Sequence, residues 1–382
     1  MIARKRQVAL ALTALLTAGA ACQAHERGQD PFAHAGPPAS RAFTLAAAGD
    51  ILPDDALAER AQFDAGGTGY DFRPMLAGAR RVVGRVDLAL CHLVVPGGGG
   101  PAVPDASDPQ YLPGLARGLA AAGYDSCSTA SAHSLDDGAE GVRRTLDALD
   151  RAGVRHAGSA RTPAEARSVT LLRAGSAKVA HLAYTDDTAG RPAPAGMPWA
   201  VGLIDEDRIV ADARAARKAG ADVVVVSVDR GTAWQEEPDP RQSALAEHLT
   251  AARTGTRPDI DLVLGTRAHV PQAYEKVNGT WVVHGLGDQV AGELVGDQGV
   301  QDPRGNESSV ARFTFAPPAR PGERWRVVRA EFVPQWFDVD AGRVVDLADA
   351  LARGADVSGV RDRIRDVVLS HGAAADGLRA GR

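Results

Sequence analysis

From residue 43 onward the chain alternates short apolar runs with stretches of helical periodicity. The run Phe43-Thr44-Leu45-Ala46-Ala47-Ala48 stops at Gly49-Asp50 and reads as a strand. A second run, Val86-Asp87-Leu88-Ala89-Leu90-Cys91, precedes a glycine-rich loop at 97–100, and a third covers residues 124–128. Residues 138–152 place Val142, Leu146 and Leu149 on one helical face. Thr162-Pro163-Ala164-Glu165 is a capping box with proline at the first helical position, so a helix is expected to begin there. Residues 179–184 read as a strand, and Asp205 is placed to cap a helix reaching Lys218, with Ile209, Ala213 and Ala216 inward. The β-branched run 223–228 reads as a central strand buried on both faces. A helix over 241–252 and a buried strand over 260–264 follow.

The rhythm then changes. Residues 273–277 and 280–284 flank Asn278-Gly279, the signature of a hairpin with a two-residue turn. Residues 311–315 and 325–332 read as paired antiparallel strands. Parallel strands early and antiparallel strands late predict one α/β domain over 42–340. The polar segment 341–382, with Val360, Ile364 and Val368 at helical spacing, reads as a helical extension packed on it.

The first residues carry different information. Arg4, Lys5 and Arg6 precede an apolar run over 8–16, too short to span a bilayer, and small residues lead to Cys22. Residues 1–22 therefore read as a secretory leader. Cys22 resembles a bacterial lipoprotein acceptor. The chain is expected to be exported, and either anchored by lipid to the outer face of the cytoplasmic membrane or cleaved and secreted. Residues 23–41, with Pro31, Pro37 and Pro38, read as a flexible tether. Outside the cytosol, Cys91 and Cys127 could form a disulfide; the alternative is two buried thiols. At 45% hydrophobic and 24% charged residues the chain lies far from the composition of disorder. A net charge of −5 with no basic stripe excludes a nucleic-acid footprint.

In open α/β sheets functional groups gather where strands end. Here those ends carry Asp50, His92, Ser131-Ala132-His133, Asp229-Arg230-Gly231, Gly265-Thr266-Arg267-Ala268-His269 and His284-Gly285-Leu286-Gly287-Asp288. Recurrent carboxylates and imidazoles are what a metal site with oxygen and nitrogen donors requires. The 97–100 loop lacks the Lys-Ser/Thr of a phosphate-cradling loop, and no G-x-S-x-G elbow surrounds Ser131.

Six blocks, "TLAAAGDI" (44–51), "DLALCHLVVP" (87–96), "STASAHSLDDGAEGVRRTLDALD" (128–150), "ADVVVVSVDRGT" (221–232), "DIDLVLGTRAHVPQ" (259–272) and "WVVHGLGDQVA" (281–291), resemble in order and spacing the capsule-synthesis (CapA) family. That family is known for poly-γ-glutamate capsule synthesis. The resemblance implies a calcineurin-like metallophosphatase-type sandwich: two mixed β-sheets flanked by helices in four αββα layers. It carries Asp50, His133 and His269 over as metal positions. The chain departs from the family at Val94 (usually Glu), Ala132 (usually Asn) and Asp288 (usually Asn). Asp229-Arg230-Gly231 replaces His-Trp-Gly, and Thr266 and Arg267 stand where two histidines are usual.

Asp50, His133, Asp229, His269 and Asp288 are thus the candidate ligands for one divalent ion (Mn, Fe or Zn), or for none. Arg230 and Arg267 would oppose a second cation and could bind carboxylate or phosphate. Asp229 could instead be paired to either arginine, and His92 and His284 read as packing or hydrogen-bonding residues. Two functions follow. One is an envelope protein with a degraded metal site that binds an anionic polymer or other envelope-biosynthesis proteins. The other is a mononuclear metallohydrolase that acts on a phosphoester or amide through Asp50, His133, Asp229 and His269.

Overall fold

Alternate side chains of each strand enter different cores, and this divides the molecule into layers. Leu45 and Ala47 of the first strand pack into one cluster, Ala46 and Ala48 into another. Val223 and Val225 share the cluster of Leu45, whereas Val224, Val226 and Val228 face a third. A period of two with both faces apolar is the signature of a sheet covered on both sides. The computed structural model describes residues 41–94, 108–293, 302–320 and 323–381. The leader, Cys22, the tether through residue 40 and the 97–100 loop lie outside the described residues.

The strands in chain order are β1 (Phe43–Leu52), β2 (Leu88–Leu93), β3 (Ser126–Ser128), β4 (Arg155–Ala157), β5 (Thr170–Ala174), β6 (Ala177–Thr185), β7 (Val223–Asp229), β8 (Arg253–Thr254), β9 (Arg257–Pro258), β10 (Leu262–Thr266), β11 (Tyr274–Val277), β12 (Thr280–Val283), β13 (Asp288–Ala291), β14 (Glu307–Ala316), β15 (Arg326–Asp338), β16 (Arg343–Asp346) and β17 (Leu378–Ala380). The first sheet has the order β16-β15-β14-β1-β2-β3-β4, with β13 added to β1 and β17 to β15. The second has the order β11-β12-β10-β7-β6-β5. Both are mixed: β1 to β4 are parallel and β14 to β16 antiparallel, while β6, β7, β10 and β12 are parallel and β5 and β11 antiparallel.

Helices Asp55–Asp64, Ala77–Val83, Tyr111–Ala122 and Gly138–Ala152 cover the outer face of the first sheet. Helices Glu206–Lys218 and Pro240–Ala251 cover that of the second. Side chains of both sheets meet in the central core. Helix, sheet, sheet and helix give the four-layer αββα sandwich. Local signals fix the ends: Asp205 and Asp239 accept first-turn N–H groups, and Asn278 and Gly279 both adopt positive φ in the hairpin turn.

The C-terminal segment differs from its expected form. Residues 341–382 are not only helical, because β16 and β17 both pair with β15 and extend the first sheet. Leu347, Ile364, Val368 and Leu378 are buried in the central core, so the boundary at 340/341 separates nothing. A strand of three residues such as Leu378–Ala380 leaves too short a pattern to read. Among the described residues no helix is long and apolar enough to cross a membrane.

Cys91 and Cys127 are direct neighbours on the parallel strands β2 and β3 and are joined by a disulfide. The bridge closes a loop of 36 residues, which on the chain-entropy account contributes about 3–4 kcal/mol. The oxidised protein is therefore expected to unfold at a higher urea midpoint than the same protein after reduction. Coincident midpoints would show that the two thiols are not bridged.

Candidate metal centre

Glycine lets the strand tips approach. A Cβ on Gly49 would lie 1.8 Å from the carbonyl oxygen of Gly287, and one on Gly265 would lie 2.0 Å from that of His284. With glycine at Gly49, the Asp50 N–H donates to Gly287 O at 3.1 Å, and Asp50 faces Asp288 across the β1–β13 pair. His92 faces Asp50 from β2, and Asp229 ends β7 opposite Thr185 and Thr266. Carboxyl ends of strands from both sheets thus meet.

Asp50, His269 and Asp288 each present a donor atom within 4.8 Å of the others. His269 Nδ1 lies 2.9 Å from Asp288 Oδ2, and the Arg267 N–H donates to Asp50 Oδ2 at 3.3 Å. Asp229 Oδ2 accepts from Thr185 Oγ1 at 2.6 Å and from the Ala132 N–H at 3.1 Å. His92 Nε2 stands 3.7 Å from Asp229 Oδ1 and 3.9 Å from Asp50 Oδ1. Asp50, His92, Asp229 and Asp288 are at most 3% exposed. Even so, Asp50 Oδ1, Asp288 Oδ1 and both ring nitrogens of His92 lack a hydrogen-bond partner among the described residues. Arg267 and His269 hold φ of 83° and 61°, a conformation that non-glycine residues keep only when their surroundings impose it. Trp234, at φ 70°, sets its ring 5.7 Å from that of His269.

The electrostatics follow from this crowding. Burial, then the charges of Asp288 and Asp229, hold the Asp50 carboxyl well above the usual carboxylate range, against the pull of His269 and the Arg267 N–H. The Asp288 carboxylate, against burial, pushes His269 up to about 9. Burial pulls His92 down despite Asp229 and Asp288, so its ring is neutral with a free lone pair. Buried carboxylate oxygens without donors, beside imidazoles, form a donor set that fits one divalent cation.

The other sequence candidates lie around this group. His133 is outside it: its Nδ1 is 2.8 Å from Asp136 Oδ2 and its side chain is 42% exposed. Ala132 contributes only its N–H, to Asp229; Val94 is buried, its N–H bonded to Ile51 O. Thr266 Oγ1 is turned to Val228 O at 3.4 Å. Arg230 does not pair with Asp229; it donates to Asp186 at 2.7 Å, and Arg241 shares that carboxylate. Arg267 donates to Asp187 at 2.7 Å and has its other nitrogen 3.6 Å from Asp229. His284 is paired with Glu275 at 2.6 Å. Asp186 and Asp187 follow β6, so the strand-end reasoning applied elsewhere would have found them. In the sequence His92 reads as a packing or hydrogen-bonding residue. Its place opposite Asp50, near the end of β2, is the signal that sets it apart.

The fold and the donor cluster define an α/β sandwich protein with a carboxylate–imidazole centre at its converging strand ends. The model of the bacterial capsule synthesis protein family PGA_cap matches residues 44–293, and the chain belongs to that family. The capsule biosynthesis protein CapA of Bacillus anthracis is 26% identical over 172 residues, 44% of this chain and 40% of that protein. A Mycobacterium tuberculosis protein named as a probable polyglutamine synthesis accessory protein is 30% identical over 178 residues, 43% and 44% of the two chains. The match thus spans less than half the length of these relatives. Among solved structures, the calcineurin-like phosphoesterase YfkN of Bacillus subtilis aligns at 14% identity and a TM-score of 0.42, covering 85% of this chain and 99% of that one. Such a match bears on neither activity nor substrate.

Asp50 and His269 both bind their protons more tightly when the metal-free chain is folded. The stability each adds is complete below its unfolded value, about 3.9 and about 6.5, and is lost as pH rises through the folded value. For His269 that window ends at about 9. Metal-free protein should lose stability to urea across this window, and His269→Gln should flatten the loss. Equal pH slopes in the two proteins would refute the assignment.

Proposed function

We propose that this chain serves the biosynthesis of an anionic, poly-γ-glutamate-type capsule polymer, and that it holds one divalent cation, Mn, Fe or Zn, at Asp50, His269 and Asp288. The observation that carries this is the convergence of two buried carboxylates and the half-buried His269, with unpartnered oxygens on Asp50 and Asp288. A bound cation would supply Lewis acidity and lower the pKa of its water. The residues do the rest. Asp288 fixes the His269 ring through its hydrogen bond. Asp229, held by Thr185 and Ala132, adds negative charge beside Asp50. Arg267, anchored to Asp187, places a permanent positive charge near Asp229 and opposes a second cation.

The substitutions at Val94, Ala132 and Thr266 fit a site reduced from the family pattern to one ion. Arg230 and Arg267 are already engaged by Asp186 and Asp187, so polymer carboxylates would meet the site through the cation more readily than through these guanidiniums. Hydrolysis of an amide or phosphoester is a second reading, favoured by the neutral, unpartnered His92 ring between Asp50 and Asp229, which could take up a proton. Export fits the Cys91–Cys127 disulfide, with the chain held at the outer membrane face through Cys22 or released.

Metal analysis of the purified protein is expected to give close to one equivalent, lost in Asp50→Ala and Asp288→Ala and kept in His133→Ala. Metal-free wild type after incubation with Mn²⁺ and Zn²⁺, or full occupancy in Asp50→Ala, would remove the proposal. Release of glutamate from a γ-linked oligomer, abolished in His92→Gln at unchanged metal content, would favour the hydrolytic reading. No release from metal-loaded protein would leave polymer binding alone.

A further inference from the structure

A second charged feature shares no residue with the metal centre. Helix Ala77–Val83, helices Leu347–Ala352 and Ser358–Val368, and the β15–β17 pair border an open cavity of about 1080 Å³. Five arginines line it: Arg81, Arg85, Arg312, Arg361 and Arg365. The lining itself adds Asp346 and Asp349, and Glu331, Asp362 and Asp366 reach Arg312, Arg361 and Arg365 from beside it.

The state of each group indicates what the cavity can hold. Asp346 is committed to the start of its helix, accepting from the Ala348 and Asp349 N–H groups. Asp349 pairs with both Arg81 and Arg353. Arg312 pairs with Glu331 at 3.0 Å. Arg361 and Arg365, one helical turn apart, share Asp362, whose side chain is 39% exposed. Such solvent-facing pairs are weak and exchange readily for a better-placed carboxylate. Arg85 is exposed and has no hydrogen bond or ion pair among the described residues. Phe332 and Pro334 add apolar surface to the lining.

We infer that this cavity binds a stretch of polycarboxylate chain, with side-chain carboxylates on the arginines and methylene segments against Phe332 and Pro334. Its volume exceeds that of an ordinary small-molecule pocket and suits several linked residues better than one small anion. Guanidinium groups bind carboxylates bidentately, and a row of them selects repeated charge. The inference rests on the polymer reading proposed above and gives that polymer a holding site apart from the metal centre.

The test is titration of the full protein with a short synthetic γ-linked glutamate oligomer, followed by calorimetry. Binding should weaken steeply with added salt. An uncharged γ-linked glutamine oligomer should not bind. Arg85→Glu with Arg365→Glu should lower affinity at least tenfold while leaving metal content unchanged. Arg85→Gln alone, at an exposed position, should lower it several-fold and serves if the double variant does not fold. Asp50→Ala should keep the arginine-dependent, salt-sensitive binding, so loss of the metal site and loss of this site are told apart. Affinity that survives the arginine variants but falls in Asp50→Ala would put the polymer at the metal centre and overturn the inference. So would no binding of the oligomer at all, or arginine-dependent binding only to phosphatidylglycerol vesicles.

Discussion

Two carboxylates that face each other across neighbouring strands, both out of water, are the constraint around which this structure is organised. Asp50 and Asp288 are paired residues of β1 and β13, and Asp229 adds a third charge from the other sheet. Like charges buried together are unfavourable unless a proton or a cation stands between them. The metal-free chain relieves the repulsion with protons: one retained by Asp50, another by His269. On the proposed reading, a divalent ion would take the place of those protons.

The scaffold keeps the carboxylates from separating. Gly49 and Gly265 bring backbone against backbone where a side chain could not fit. Thr185 and the Ala132 N–H tie Asp229 to β6 and to the segment after β3. The second of these ties links the two sheets at the site itself, above a central core that both supply. Rigidity there matters more than at the surface, because a carboxylate free to swing into water would lose the enforced proximity that makes the centre electrostatically unusual.

The layers were legible in the sequence because burial on both faces leaves long β-branched runs such as 223–228, and because Asn278-Gly279 and Asp205 mark turns and caps locally. The short strands β13, β16 and β17 were not, since three or four residues hold no readable period. The candidate site was legible in part. Strand-end position listed Asp50, His269 and Asp288 among others, and the family resemblance singled out Asp50 and His269; the fold brings these three together. The resemblance also singled out His133, which local geometry turns to Asp136, three residues on. Partners were the least legible feature. Arg230 and Arg267 both looked like companions for Asp229, but Arg230, just past β7, pairs with Asp186, just past the neighbouring strand β6, and only Arg267 comes near Asp229.

Those pairings also shape the centre. Arg267 is drawn off to Asp187, and its backbone N–H is what reaches Asp50. Asp186 and Asp187 act as electrostatic counterweights: each neutralises an arginine that would otherwise cancel the carboxylates nearby. The donor set is rich in carboxylate, with His269 as its imidazole. On the proposed reading, oxygen-rich ligation shifts preference toward harder cations such as Mn²⁺ and away from the nitrogen- and sulfur-rich surroundings that suit Zn²⁺. The aspartates after β6 are therefore as much a part of the centre as the residues that would touch the ion.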